Sequence, residues 1–312
     1  MMNDENDLNS TKGHGSSENS FQTKNLPARI ASYVSKNRKT VTIWGGFILC
    51  SILIWTFFSS GDFSFLLTFA ALWRCFGLLL MNFKVWTGKS VKGISVKTME
   101  LYFICFLCRV LSILRHQGYL PFDKTGDWFY HVVEVLSLTS VCLVMYGTFG
   151  PLKSTYDAKY DKFGNIHVPP QFGIVYLVAP CVLLAICFHP DLNKEAFSDI
   201  CWTLSMYIEA VAMLPQLYMF QKQAGDQENT VEVILGHVTF ALGFSRIFEL
   251  CFWYGSFKEL RTSLNSYAPG YIVLLSQVAQ LLIMGDFFYY YFISISKGLP
   301  MELPASYTSM NV

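Results

Sequence analysis

The sequence predicts an all-α polytopic membrane protein, and three observations predict it. Hydrophobic residues make up 53% of the 312 and charged residues only 14%, with mean hydropathy +0.36, whereas a soluble domain carries about 25% charged residues. The apolar residues gather into eight runs, as crossing a hydrocarbon core of about 30 Å as helices requires. Isolated charges stand inside those runs: Arg74, Arg109, Glu134, Glu209, Arg246, Glu249 and Asp286. A charge at bilayer depth costs roughly 2.5–3.5 kcal/mol on insertion scales, so it usually turns inward and has a task. The predicted protein therefore holds a polar site between its helices.

Residues 1–40 read as a disordered basic cytosolic tail. The first 28 are rich in Asn, Ser, Asp, Glu, Lys and Gly, a composition that cannot bury enough apolar surface to fold. Arg29, Lys36, Arg38 and Lys39 follow. Residues 41–58 are apolar all round and uncharged, and lie too far into the chain for an ordinary signal peptide. They read as an additional transmembrane anchor helix. Seven more apolar runs follow at about 64–83, 98–114, 128–149, 171–188, 200–220, 231–253 and 270–293, so residues 64–300 form a seven-helix domain. Residues 301–312 close the chain as a cytosolic tail. With the N-terminus cytosolic, fifteen of the 23 Lys and Arg fall on the cytosolic side, five on the opposite side and three within the membrane. The positive-inside rule supports that orientation.

Net charge +1 gives no basis for a nucleic-acid partner. The nine cysteines lie in apolar segments, where free Cys behaves as a small hydrophobe. Cys105 and Cys108 have redox-motif spacing but no βαβ context. No metal spacing, phosphate-binding glycine loop or nucleophile with an adjacent base is present, so neither an enzyme nor a cofactor or metal is expected. Pro215 and Gln216 follow Glu209 in one apolar run. A proline there kinks a helix and frees a carbonyl, which Gln216 could satisfy. The pair reads as a hinge or as a static kink.

Four ordered stretches carry a family resemblance. Lys84-Val85-Trp86 is followed by Gly93-Ile94-Ser95 and Lys97; Trp202-Thr203-Leu204-Ser205-Met206-Tyr207-Ile208-Glu209 by Leu214-Pro215-Gln216-Leu217. His237 precedes Phe240-Ala241-Leu242-Gly243 and Arg246. Gln280 precedes Asp286-Phe287-Phe288-Tyr289. Together they resemble the ER lumen protein-retaining receptors, the KDEL/HDEL receptor family, over almost all of residues 64–300. The resemblance implies a fold similar to SWEET and PQ-loop transporters: two three-helix bundles joined by a linking helix. It further implies a receptor in endoplasmic reticulum and cis-Golgi membranes that binds the C-terminal tetrapeptide of escaped luminal proteins and returns with coat machinery. A small-molecule transporter on the same fold and a non-binding regulator of sorting are the competing readings.

By that resemblance Arg109 and Arg246 hold the peptide, as a free carboxylate suits the bidentate fork of Arg. The competing reading is a structural ion pair, of Arg246 with Glu249 or Asp286 for instance. Asp199 either meets a basic residue of the peptide or caps its helix, and Trp202 and Trp253 form the cavity wall or simply pack. Glu209 belongs to an internal polar network or links helices as a neutral acid. Asp286 resembles an aspartate tied to receptor transport. His237 lies too deep to touch cargo and reads as structural, although histidine is the natural sensor between pH 5 and 8. Departures gather at the cargo site. Leu67 stands where the family has an arginine, Arg74 where it has a histidine, and Ser112 where it has an aspartate. Ser245 and Glu249 replace tyrosines, and Phe252 an asparagine. Arg74 lies about two turns from Leu67 on a similar face and is expected to compensate for it. The tail lacks the lysine pair shown to coatomer. The substituted site and the added helix resemble divergent, receptor-like members of the family.

Overall fold

The computed structural model describes residues 35, 38–59, 61–116, 127–165, 169, 172–225, 230–262, 264–297 and 301–302. Of the tail expected to be disordered over 1–40, residues 1–34 and 36–37 lie outside them, as does nearly all of the C-terminal tail, whereas residues 38–40 already belong to a helix. Every apolar run reappears as helix: α1 (Arg38–Phe58), α2 (Phe65–Gly88), α3 (Val96–Ile113), α4 (Asp127–Phe149), α5 (Val175–Cys187), α6 (Ala196–Val211) with α7 (Leu214–Gly225), α8 (Val233–Gly255) and α9 (Ala268–Lys297). Among the described residues, the rest of the regular structure consists of two short 3₁₀ turns and a pair of two-residue antiparallel strands, β1 (Thr230–Val231) and β2 (Met301–Glu302), with Thr230 opposite Glu302. The protein is thus an all-α polytopic membrane protein.

Among the described residues, six spans are long and apolar enough to cross a bilayer, α6 and α7 counting as one. The other two helices differ for visible reasons: α3 carries Lys97, Glu100 and Arg109, and α5 has 13 residues with Pro180 inside. The run at 200–220 was expected to be one kinked helix. Instead α6 stops at Val211 and α7 starts at Leu214. Pro215 is the second residue of α7, where its missing N–H is one of the unpaired first-turn donors and costs nothing.

The chain forms two compact units, up to Ile52 and from Leu53 onward. In the first, α1 sets Trp44 edge-on to Phe47 at 6.2 Å. In the second, the last turns of α1 place Trp55 edge-on to Phe65 and Phe69, and stack Phe58 on Phe129 at 5.4 Å.

The remaining helices form two triples of matching plan. In the first, α4 packs on both α2 and α3, which share no extensive contact with each other; in the second, α9 packs on both α6 and α8 in the same way. The triples meet along two seams, α2 on α8 and α3 on α6, and α5 leans on α6. This is the arrangement the resemblance implied. Close approach explains Gly77 in the first seam: a Cβ there would meet Ala241, the Val238 carbonyl and Leu242 at 3.2–3.3 Å. The second seam is a polar ladder. Cys105 Sγ donates to the Ser205 carbonyl (3.3 Å) and Ser112 Oγ to the Ser198 carbonyl (3.0 Å). Small and hydroxyl residues are the usual helix contacts in a membrane, where hydrophobicity supplies no drive between helices.

A knot of side chains ties two loops and the start of α7 at one end of the bundle. Gly93 turns the α2–α3 connection with φ +78°, and a Cβ there would fall 2.8 Å from Leu235. Gln216 clasps that turn from α7: its Oε1 accepts from the Ser95 amide (2.9 Å) and its Nε2 donates to the Gly93 carbonyl (2.7 Å). Ser95 caps α3, accepting from the Thr98 amide. Asp161, from the α4–α5 connection, accepts from Ser95 Oγ (2.8 Å), the Val96 amide (2.8 Å) and the Tyr156 hydroxyl (2.7 Å). Burial, and then the Asp161 carboxylate, pushes the Tyr156 phenol above its ordinary value and keeps it a donor. Lys97 reaches the Phe163 carbonyl and Asn165 Oδ1 across the same connection. Asp161→Ala removes one acceptor from three buried donors. It is expected to lower stability by about 2–4 kcal/mol, read as an earlier thermal transition of the detergent-solubilised protein.

Candidate functional site

Where the two seams meet, six charged side chains form one layer. Arg74 comes from α2, Arg109 from α3, Glu134 from α4, Glu209 from α6, and Arg246 and Glu249 from α8. Each is at most 2% exposed. Glu209 is the hub. Its Oε1 accepts from Arg74 Nη1 (3.0 Å) and Arg246 Nη2, and its Oε2 from Arg109 Nη2 (2.5 Å). Two oxygens receiving three guanidinium groups is the pattern of an ionised, acceptor-only carboxylate and not of a neutral acid linking helices. Glu134 Oε1 accepts from Arg74 Nη2 and from Arg109 Nη1 (3.5 Å). Glu249 Oε2 touches Arg246 Nη1 and lies 3.6 Å from Arg74 Nη1. Arg109 Nε also donates to Ser205 Oγ (3.3 Å), and Phe106 lies 5.4 Å beneath the Arg74 guanidinium.

Three cations and three carboxylates make the layer neutral as a whole. They do not make either half neutral. The first triple brings Arg74, Arg109 and Glu134; the second brings Glu209, Arg246 and Glu249. One excess positive charge therefore faces one excess negative charge across the seams, in surroundings where the Coulomb attraction is weakly screened.

The other residues expected at the site divide clearly. Trp202 and Trp253 meet edge-on at 4.8 Å, both buried. Each lies seven residues from its helix's member of the charged layer, Glu209 or Arg246, about 10 Å along the axis, so the indole pair roofs the layer on one side. Asp199 is in the first turn of α6, where Glu195 and not Asp199 occupies the cap. Its carboxylate accepts from the Asn193 amide (3.0 Å) and the Asn193 side chain (3.2 Å). Ten residues separate it from Glu209, about 15 Å of helix, so it stands apart from the layer. Beside it Glu195 accepts from Ser198 Oγ (2.6 Å) and contacts His116 Nε2 (2.6 Å), and those two bonds hold its carboxyl below the usual range.

Of the four residues read as belonging to an intramembrane polar network or to transport, His237 and Asp286 lie outside the charged layer. His237 contacts the Tyr291 hydroxyl (2.7 Å) near the start of α8, nine residues before Arg246. Asp286 is exposed on α9; Arg246 takes Glu209 and Glu249 as its carboxylates and not Asp286. Gln216 does not satisfy carbonyls freed in its own helix but holds the α2–α3 turn. Glu134, conversely, was visible as a charge within an apolar run but not as a site residue. Its position on α4, between the helices carrying Arg74 and Arg109, is what makes it one.

The chain's relatives can now be set beside this geometry. The ER lumen protein retaining receptor family matches residues 90–256, more than half of the chain. ER lumen protein-retaining receptor B of Arabidopsis thaliana is 32% identical over 230 residues, covering 73% of this chain and 93% of its own. The ER lumen protein-retaining receptors of Petunia hybrida and Drosophila melanogaster are 31% and 29% identical over 231 residues, covering 73% and 74% of this chain and 93% and 94% of theirs. The chain belongs to the ER lumen protein-retaining receptor family. In this family member the matched region contains five of the six charged residues, all but Arg74, and both indoles of the roof.

Removing one partner of a buried charge pair leaves the other uncompensated, which costs about 3–5 kcal/mol. Glu134→Gln is expected to destabilise by that amount. Adding Arg74→Gln should cost less than the sum of the two single changes, by about 1–3 kcal/mol of coupling. Thermal unfolding of the four proteins of the cycle measures both numbers.

Proposed function

We propose that this protein is a receptor for C-terminal ER-retention signals of the KDEL/HDEL type, retrieving escaped luminal proteins from the Golgi to the ER. Membership of the retaining-receptor family carries the reading. It supports a receptor rather than an enzyme, and a multi-pass protein of endoplasmic reticulum and cis-Golgi membranes. The charged layer supports it chemically. A peptide that ends in a free carboxylate needs fixed cations in a dry setting, where a charge-assisted hydrogen bond is about twice as strong as a neutral one. Arg246, Arg109 and Arg74 are three such cations around one point.

In this reading Arg246 and Arg109 hold the terminal carboxylate and Arg74 lends a third charge. Trp202 and Trp253 form the wall on the approach, and Asp199 meets a basic residue of the signal further out. Glu209 organises the arginines. The interruption before Pro215 and Gln216 is the hinge between the layer and the loop knot. The ligand is the C-terminal tetrapeptide of an ER luminal protein; coat machinery and surrounding lipid are the other partners. Asp286, exposed on α9, is available to transport machinery rather than to cargo.

A labelled HDEL-ended peptide offered to the purified full-length protein at about pH 5.5 and 7.4, across the histidine range, is expected to bind. Amidation of its C-terminus, or Arg246→Ala, should abolish binding. Equal binding of the free and amidated peptides would refute a carboxylate site.

A further inference from the structure

Arg246 does not use its guanidinium fully. Nε donates to Ser245 Oγ (3.3 Å) and Nη2 to Glu209 Oε1, while Nη1 only touches Glu249 Oε2. That last contact lies outside hydrogen-bonding geometry. Both touching atoms are buried, and neither has a hydrogen-bond partner among the described residues. Glu249 is three residues further along the same helix, so it reaches Arg246 from the side, with charge but without alignment. Its other oxygen takes one long bond, from Gln277 Nε2 on α9 at 3.3 Å. The charged groups that face Glu249 are Arg246 on its own helix and Arg74 on α2; Glu209, Glu134 and Arg109 complete the layer. Two further buried donors near these residues in sequence, Arg74 Nε and Trp253 Nε1, also lack partners.

A buried donor left unpaired is destabilising, so an arginine in this condition favours any carboxylate that can align with it. Charge adds a restriction. The layer is neutral only with Glu249 counted, and a ligand carboxylate entering beside it would leave an excess negative charge in a dry interior. A ligand carboxylate that displaces Glu249 from Arg246 supplies the missing hydrogen bond.

We propose that Glu249 is a specificity-determining residue that stands in for the ligand's carboxylate, so that ligand and Glu249 compete for Arg246. This rests on the reading of a C-terminal carboxylate as the ligand. Glu249 sets the threshold affinity: a ligand must offer a carboxylate better aligned than the one already present. Displaced from Arg246, Glu249 retains its bond to Gln277.

The test uses the full-length protein in lipid nanodiscs and two carboxylate probes, a labelled HDEL-ended peptide and N-acetyl-leucine, with their C-terminal amides as controls. Glu249→Gln and Glu249→Ser both remove the charge at different side-chain volumes, so the test survives if one of them fails to fold. Both variants are expected to bind the carboxylate probes at least about tenfold tighter than the wild type, and to leave the amides without measurable binding. If the wild type binds the peptide and the neutral variants bind it equally or more weakly, the retention-receptor reading stands and the competitor role falls. If the variants tighten on N-acetyl-leucine while no protein binds the peptide, the competitor role stands and the receptor reading falls. Absence of carboxylate binding by any of the proteins overturns both.

Discussion

Two oxygen atoms of Glu209 hold three arginines from three different helices, and the packing of the second unit depends on that convergence. Charges in a membrane interior persist only where each is compensated, because the desolvation penalty is several kcal/mol per ion even after relaxation. Here compensation is distributed between the two triples. Each carries an unbalanced unit of charge when separate, and the balance appears only when α2 meets α8 and α3 meets α6. Helices in lipid gain little from hydrophobicity when they associate. A complementary charge at the meeting point therefore contributes both attraction and register: sliding either seam by one turn, about 5.4 Å, would break the contacts around Glu209.

Much of this was legible in the sequence and some was not, for physical reasons. Apolar runs of spanning length follow from bilayer thickness, so the eight helical segments were readable from hydropathy alone. The layer was half readable. A charge within an apolar run announces itself, and all six charged residues were visible on that ground, but it took the family resemblance to turn Arg74, Arg109 and Arg246 into site residues. Their pairing was not readable, because Arg74 and Glu209 are 135 positions apart and periodicity says nothing about distant partners. Arg246 with Glu249 is the exception, since three residues along a helix is a local relation. Asp161 was invisible for the opposite reason. It lies in a polar connection, where one more carboxylate carries no signal, and only the convergence of Ser95, Val96 and Tyr156 on it reveals its part.

The stretches that carried the family resemblance are widely spaced in sequence yet resolve into few contacts. Gly93, Ser95 and Gln216 form one clasp. Trp202 and Trp253, read as cavity wall or as packing, form one ring pair. Glu209 and Arg246 form one bond. His237 and Asp286 are the counterexamples: one is fixed to Tyr291 and the other is exposed, and neither takes part in the layer. Polarity inside an apolar run locates a residue that needs an explanation; it does not say which explanation applies.

The break between α6 and α7 gains meaning from what lies on its two sides. Glu209, two residues before the end of α6, is anchored by three arginines. Gln216, two residues after the start of α7, is anchored to the turn that opens α3. A continuous helix between those points would transmit any shift of one to the other as a rigid rod. An interrupted one can absorb it locally, since the residues between helices are free of the i to i−4 ladder. Whatever rearranges the carboxylates around Arg246 acts on Glu209 first, because Arg246 bonds both. Along this span the displacement reaches Gln216 through residues 212–213. Of the spans that join the six-residue charged layer to the loop knot, α6 with α7 is the one interrupted between them, while α2, α3 and α4 run unbroken.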